Sequence, residues 1–267
     1  MFFRQLDTQD LVFGINPTLL KQGHSKLILN AFYTKDKDRL KVLLAAPRFR
    51  HGITDAWEFN LSVPLVEIKQ AGLVTTGVGD IVATLKWQPY AYKNREDGSA
   101  RLLALVAGFA FPGNLPAAQV TVINQQAGLL PLEVGSDKTS FLLGASTFLA
   151  GRPWGLLSSF LINIEQKNEC GNRDGHFFVY SLGIGRVLTQ TKFWNVFGLV
   201  ELDWIYESSS IHHNKVVPCT SNHILWIGPN LIVHQASREF KFGIQAPLAK
   251  INVKRDYRLF LAFEWEF

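Results

Sequence analysis

The sequence predicts an all-β fold, a single closed antiparallel transmembrane β-barrel of about twelve strands with its apolar face turned outward to lipid. Three observations carry this expectation. Apolar residues recur with period two along most of the chain, not with the helical period of 3.6. Hydrophobic residues make up 47% of the 267 positions, with 20 Phe, 7 Trp and 6 Tyr, while charged residues make up only 18%, against about a quarter in a soluble domain. The mean hydropathy is nonetheless only +0.08, far below that of a bundle of membrane helices. A spanning helix needs about 20 mostly apolar residues, and the best stretch, 141–164, is broken by Gly151-Arg152-Pro153.

Successive side chains of a strand point to opposite faces, so one face can be greasy and the other wet. Trp57, Phe59, Leu61, Val63 and Leu65 share one face, with Glu58, Asn60, Ser62 and Pro64 on the other. Phe240, Phe242 and Ile244 oppose Glu239, Lys241, Gly243 and Gln245. Tyr257, Leu259, Leu261, Phe263, Trp265 and Phe267 oppose Arg258, Phe260, Ala262, Glu264 and Glu266. Segments of this kind fall near 25–34, 39–50, 56–66, 79–90, 100–111, 138–149, 154–165, 176–188, 193–206, 222–233, 237–247 and 255–267. Most have the length a tilted strand needs to cross a bilayer. In 39–50 Lys41 and Arg48 have opposite parity, for which a bulge or burial of both faces would account. Residues 1–20 stay outside the pattern and are expected to form a periplasmic segment, a plug or an extra strand; residues 21–267 form the barrel.

The connections alternate in length. Short ones are 51–55, 151–153, 189–192 and 234–238; long ones are 67–78, 112–137, 166–175 and 207–221. The turn 91–99 is intermediate, and the first loop, Lys35 to Asp38, is an exception on the long-loop side. Short turns at one end and long loops at the other are the pattern of outer-membrane barrels. An even strand number then places both termini at the short-turn, periplasmic end. Cys170 and Cys219 both fall in long outer loops on one rim; a disulfide there is one reading and two unlinked cysteines the other.

The net charge of +5 is not arranged in runs, so nucleic-acid binding is excluded as a partner class. MFFRQLDTQD has no charged region followed by an apolar one and a small-residue cleavage site. An exported chain needs that signal, so either it has been removed or the recorded start is internal. No phosphate loop, nucleophile elbow or zinc motif occurs, so no cofactor and no metal are expected. His212-His213 near Ser208 to Ser210 is the one cluster suggesting a hydrolase, and it reads better as a solvated loop, because adjacent side chains diverge along an extended chain. The expectation is a non-enzyme. Gly183 and Gly185 sit inside a strand and suggest barrel packing or a bend.

The chain ends on alternating aromatic and polar residues through Phe267. This resembles the terminal strand that outer-membrane proteins present to the barrel-assembly machinery, an aromatic edge that can template strand addition. Phe49-Arg-His-Gly-Ile-Thr-Asp-Ala-Trp-Glu-Phe-Asn-Leu-Ser-Val-Pro-Leu65 and Gly77-Val-Gly-Asp-Ile-Val-Ala-Thr-Leu-Lys-Trp87, with Leu105 to Gly113 and Asp256 to Phe267, resemble the outer-membrane channel ("transporter") family named for the meta-pathway of phenol degradation. The resemblance covers most of 39–267. It implies a roughly twelve-stranded barrel passing small, often aromatic, organic molecules through the Gram-negative outer membrane. The partners it implies are outer-membrane lipid, the assembly machinery and a small-molecule solute.

In such a barrel, function divides by face. Lipid-facing positions are Trp57, Phe59, Leu61, Ile81, Leu85, Trp87, Phe240, Phe242, Leu259, Leu261, Phe263 and Trp265. Trp57, Trp87, Trp154, Trp194, Trp204 and Tyr257 are candidates for the interfacial girdles. The lumen candidates are Glu58, Asn60, Lys86, Asn163, Glu165, Glu201, Asp203, Lys241, Gln245, Arg258 and Glu264. Both signs occur among them, so they either lock across the lumen or line a narrow wet path; twelve strands lie between the filled eight-stranded and the open 16–18-stranded barrels. The alternatives to a channel are a barrel-surface lipid-modifying enzyme with a His-Ser site, a structural barrel with a plugged lumen, and a soluble lipocalin-like binder.

Overall fold

A computed structural model of the chain describes residues 17–35, 41–70, 73–94, 98–114, 139–151, 153–166, 175–191, 193–217, 221–251 and 257–267. Regular structure among them is entirely β: β1 (Ser25–Lys35), β2 (Lys41–Thr54), β3 (Trp57–Ser62), β4 (Leu65–Gln70), β5 (Leu73–Val78), β6 (Ile81–Asn94), β7 (Ser99–Phe111), β8 (Ser140–Gly151), β9 (Trp154–Glu165), β10 (Phe177–Gln190), β11 (Asn195–Glu207), β12 (Ile211–His212), β13 (Lys215–Val216), β14 (Asn222–Gln235), β15 (Arg238–Ile251) and β16 (Tyr257–Glu266).

All but β12 and β13 join one sheet. β4 and β5 continue from β2, and a β1–β2 pairing closes the sheet on itself. β3 and β4 are one barrel strand interrupted at Val63-Pro64, and β5 and β6 are another interrupted at Gly79-Asp80, so the closed antiparallel barrel has twelve strands. The interruptions follow from proline. Pro47 and Pro64 have no N–H to give a ladder, and β2 changes partner from β3 to β4 beside Pro47. Val63 N–H donates to the Pro47 carbonyl (3.1 Å) and Gly79 N–H to the Pro64 carbonyl (2.8 Å), which carries the wall across both breaks.

Among the described residues every element of the main sheet except β5, which pairs with β4 alone, has a neighbour on both sides. β16 pairs with β15 on one side and with β1 on the other, from Lys26↔Glu266 to Lys35↔Tyr257. The terminal strand is therefore not exposed as an edge in the folded barrel. Ser25 and Phe267 exchange both backbone hydrogen bonds (2.9 Å each) at the short-turn end, which places the two chain ends of the barrel side by side.

Alternation holds along the strands between the register shifts at Gly52/Thr54, Trp87/Tyr90, Val187/Thr189 and Leu225/Trp226. On β7 Ala100, Leu102, Ala104, Val106 and Ala110 are buried while Leu105, Phe109 and Phe111 are exposed. On β16 Arg258 is 4% exposed and Leu261 55%. The greasy side chains that remain exposed cover the outer wall, and Arg50, Glu58, Lys86, Glu201, Asp203, Glu239, Lys241, Arg258 and Glu264 are enclosed, while Lys41, Lys69, Arg101, Arg186 and Arg238 are exposed.

Four local expectations are corrected. The segment 67–78 is not a loop: β4 and β5 form a hairpin paired from Leu65↔Val78 to Gln70↔Leu73. Its Thr75, Thr76 and Gly77 hide strand character that cross-strand pairing restores. The expected turn 51–55 begins later, since β2 runs on to Thr54, whose Oγ1 accepts the N–H groups of Ala56 (3.2 Å) and Trp57 (3.1 Å). The segment 207–221 holds the β12–β13 ribbon, turned by His213 and Asn214 with φ of 47° and 61°, the signature of a two-residue hairpin turn. Strand 39–50 needs neither a bulge nor two buried faces: its register with β1 is unbroken, and Lys41 lies exposed at the strand end, where its charge stays in water.

Candidate functional site

The buried charged side chains point into the barrel and meet in groups. At the short-turn end Glu58 stands opposite Lys86 on β6. Its carboxylate accepts Arg50 Nε (2.9 Å) and Nη2 (2.8 Å) as a two-point contact, and Lys86 Nζ lies 3.0 Å away. The backbone of residues 17–20 completes this group. Leu20 N–H donates to Glu58 Oε2 (2.8 Å), the Thr18 carbonyl accepts Lys86 Nζ (2.7 Å) and Arg50 Nη2 (3.2 Å), and the Pro17 carbonyl accepts Gln88 Nε2 (2.7 Å). The segment ahead of β1 is thereby held against the inner wall. Gly52 lets it pass: a Cβ there would fall 2.1 Å from the Lys21 carbonyl oxygen. A buried carboxylate is tolerable only when paired and hydrogen-bonded in this way.

A second group lies beside the first. Lys241 Nζ is 2.5 Å from Glu264 Oε1 and 3.1 Å from Glu239 Oε1, and Lys26 Nζ donates to Glu264 Oε2 (2.9 Å). His234 Nδ1 is 3.6 Å from Glu239. A third group lies farther toward the loop end. Arg258 Nη2 donates to Asp203 Oδ2 (2.6 Å) and Nε to Gln245 Oε1 (2.5 Å), while Gln245 Nε2 donates to the same Asp203 oxygen (2.7 Å). The Arg258 guanidinium also lies 4.8 Å above the buried Trp226 ring, a cation–π contact. Elsewhere Glu201 accepts Asn230 Nδ2 (2.6 Å) and Glu207 accepts Asn222 Nδ2 (2.8 Å). Among the described residues no group of His, Cys, Asp and Glu gathers as a metal site.

No family model matches the chain, and no curated protein matches it. Its fold is shared with solved outer-membrane barrels. An outer membrane channel from Pseudomonas putida F1 superposes with a TM-score of 0.70 over 97% of this chain and 99% of that one, at 14% identity. The beta domain of the Bordetella autotransporter BrkA superposes with a TM-score of 0.50 over 92% of this chain and all (100%) of its own, at 9% identity. At such identities the likeness is one of fold.

Glu58, Lys86, Asn163, Glu165, Glu201, Asp203, Lys241, Gln245, Arg258 and Glu264 are buried inside the barrel, and Asn60 is half-buried. They do not form one site but separate clusters. Trp57 and Trp87 stack at 5.7 Å on the outer wall near the short-turn end, where Trp154, Trp194 and Trp265 are also exposed. Trp204 stacks on Tyr206 (6.1 Å), and Tyr257 lies tilted against Tyr33 (6.4 Å), nearer the loop end. Phe59 and Phe263 are half-exposed outward, and Phe267 packs against Trp265 at 5.4 Å. Cys170 and Cys219 lie outside the described residues.

Arg50, Lys26, Glu239, Asn230 and Trp226 belong to these clusters without having been expected there. Parity holds the signal for most of them: Arg50 shares a face with Arg48, and Trp226 lies in step with Asn222 and Asn230. The carbonyls of Pro17 and Thr18 left no signal, because backbone groups carry no sequence identity.

Proposed function

We propose that this protein is a Gram-negative outer-membrane barrel that passes small, hydrophobic or aromatic molecules, with the segment ahead of β1 acting as a plug and the enclosed charges lining the path. The observation that carries this reading is the inversion of faces. Exposed Leu, Phe and Trp cover the outer wall, while Glu58, Arg50, Lys241, Glu264, Asp203 and Arg258 are enclosed and paired. A charge turned to lipid at the bilayer midplane costs about 2–4 kcal/mol, and a soluble barrel has no reason to keep this arrangement. The shared fold with the Pseudomonas putida F1 channel supports the reading, as does the resemblance to the phenol meta-pathway channel family. Outer-membrane lipid is the partner of the outer wall, and the barrel-assembly machinery is the partner of the strand ending at Phe267.

The test is solute flux into liposomes carrying the refolded chain, comparing aromatic acids with alkanes. Flux of either class above that of empty liposomes supports the channel; no flux for any solute removes it and leaves the fold. A structural barrel with a plugged lumen is the second reading. It is favoured by the hold of Arg50, Glu58 and Lys86 on Thr18 and Leu20, and absent flux is its signature.

A further inference from the structure

One row of inner-wall residues is unlike the rest. Cross-strand pairing runs Ala104↔Ser146, Ser146↔Ser159, Ser159↔Ser181, Ser181↔Asp203 and Asp203↔Trp226, from β7 through β14. Directly paired residues have their side chains on the same face, with Cα atoms about 4.5–5.5 Å apart. Barrel strands tilt by roughly 35–45°, so such a row climbs obliquely along the wall.

The row carries polar atoms that the protein does not satisfy. Ser146 is 1% exposed and Ser181 0%, and neither hydroxyl has a hydrogen-bond partner; nor do Asp203 Oδ1 and Trp226 Nε1. Buried polar groups are nearly always paired, and a group left unpaired calls for an explanation. These four atoms come from four different strands and lie along one line. The neighbouring row toward the loop end is apolar, with Leu161, Val179, Ile205 and Ile224; the row toward the turn end is apolar at Leu102, Phe148 and Leu157 and then reaches Gly183 and Glu201, whose carboxylate is taken up by Asn230 Nδ2.

We propose that this row is a binding track for neutral, largely apolar molecules that carry a hydroxyl, phenol or carbonyl group. The donor and acceptor pattern selects that class. Serine hydroxyls both donate and accept, Asp203 Oδ1 only accepts, and Trp226 Nε1 only donates. A solute hydroxyl matches all three. An anion would meet Asp203 and a cation would meet Arg258, and these two already neutralise each other at 2.6 Å. The aliphatic row toward the loop end, with Phe148 and Leu157 on the other side, holds the rest of the molecule by burial. This track deepens the channel reading and rests on it, because it needs solutes to enter the barrel.

The experiment uses the full chain in lipid nanodiscs, with 2-naphthol as probe, naphthalene as its hydroxyl-free counterpart and empty nanodiscs as background. Saturable 2-naphthol binding is expected, weakened about tenfold in Ser146→Ala/Ser181→Ala and about threefold in each single variant. Naphthalene binding is expected to stay the same in all of them. Heat-modifiable gel mobility checks that each variant folds, and the single variants decide the matter if the double one does not fold. Absence of saturable 2-naphthol binding, or equal effects on both probes, overturns the track and leaves these hydroxyls to hydration alone. Liposome flux without saturable 2-naphthol binding removes the track and keeps the channel. Binding without flux removes the channel and keeps the track as a lumen site.

Discussion

Arg50 and Glu58 sit diagonally across the β2–β3 pairing inside the barrel, Arg50 opposite Asn60 and Glu58 opposite Gly52, and join through two hydrogen bonds of 2.9 and 2.8 Å. The same carboxylate takes the Leu20 N–H, so one side chain ties two strands to the segment ahead of β1. Glu58→Ala leaves Arg50 and Lys86 enclosed without their shared partner. Breaking a buried pair from one side costs about 3–5 kcal/mol. The expected result is a loss of that size in denaturant unfolding from lipid vesicles, together with higher ion conductance in planar bilayers as residues 17–20 lose their hold. Unchanged conductance with reduced stability would confine the group to a structural role.

Asp203 and Arg258 give a cleaner energetic test, since Gln245 bonds to both. Asp203→Ala is expected to destabilise the barrel by about 3–5 kcal/mol, because the guanidinium stays buried without its carboxylate. Asp203→Leu combined with Arg258→Leu removes both charges, and the loss is expected to be smaller than for the single change. A double-mutant cycle measured by equilibrium unfolding reads the coupling directly; additive losses would mean that the pair contributes nothing as a pair.

The fold was legible because parity is a local property. A strand such as 257–267 states its two faces in sequence, and the same period places Leu261 outward and Arg258 inward. Lumen position was legible for Glu58 and Lys86 for the same reason. The partners were not. Arg50 meets Glu58 only after β2 turns back as β3, and Lys26 meets Glu264 only when the last strand closes on the first. The strand interrupted at Pro64 runs from Trp57 to Gln70, longer than the segment 56–66 read from alternation. The β4–β5 hairpin was hidden by Lys69, Gln70 and two threonines, which look like loop residues until register pairs them.

The outer wall predicts a depth dependence. Ile244 is exposed in the middle of β15, while Trp57 is exposed beside the β2–β3 turn. Ile244→Arg is expected to cost about 2–4 kcal/mol and Trp57→Arg about 0–1 kcal/mol in unfolding from vesicles, as for cations at the bilayer midplane and near its interface. In a water-soluble barrel the two changes would cost alike, so equal losses would contradict the membrane assignment.

Phe267 separates assembly from stability. Its backbone exchanges two hydrogen bonds with Ser25, and its ring lies exposed against Trp265. Phe267→Ala keeps the backbone bonds and removes an exposed ring, so refolded protein is expected to lose no more than about 0.5 kcal/mol. If the ring is read by the assembly machinery, the variant gives severalfold less heat-modifiable barrel in the outer membrane of cells at equal synthesis. A deficit of equal size in refolding from denaturant would assign the ring to the barrel itself. Normal cellular yield would remove Phe267 from recognition altogether.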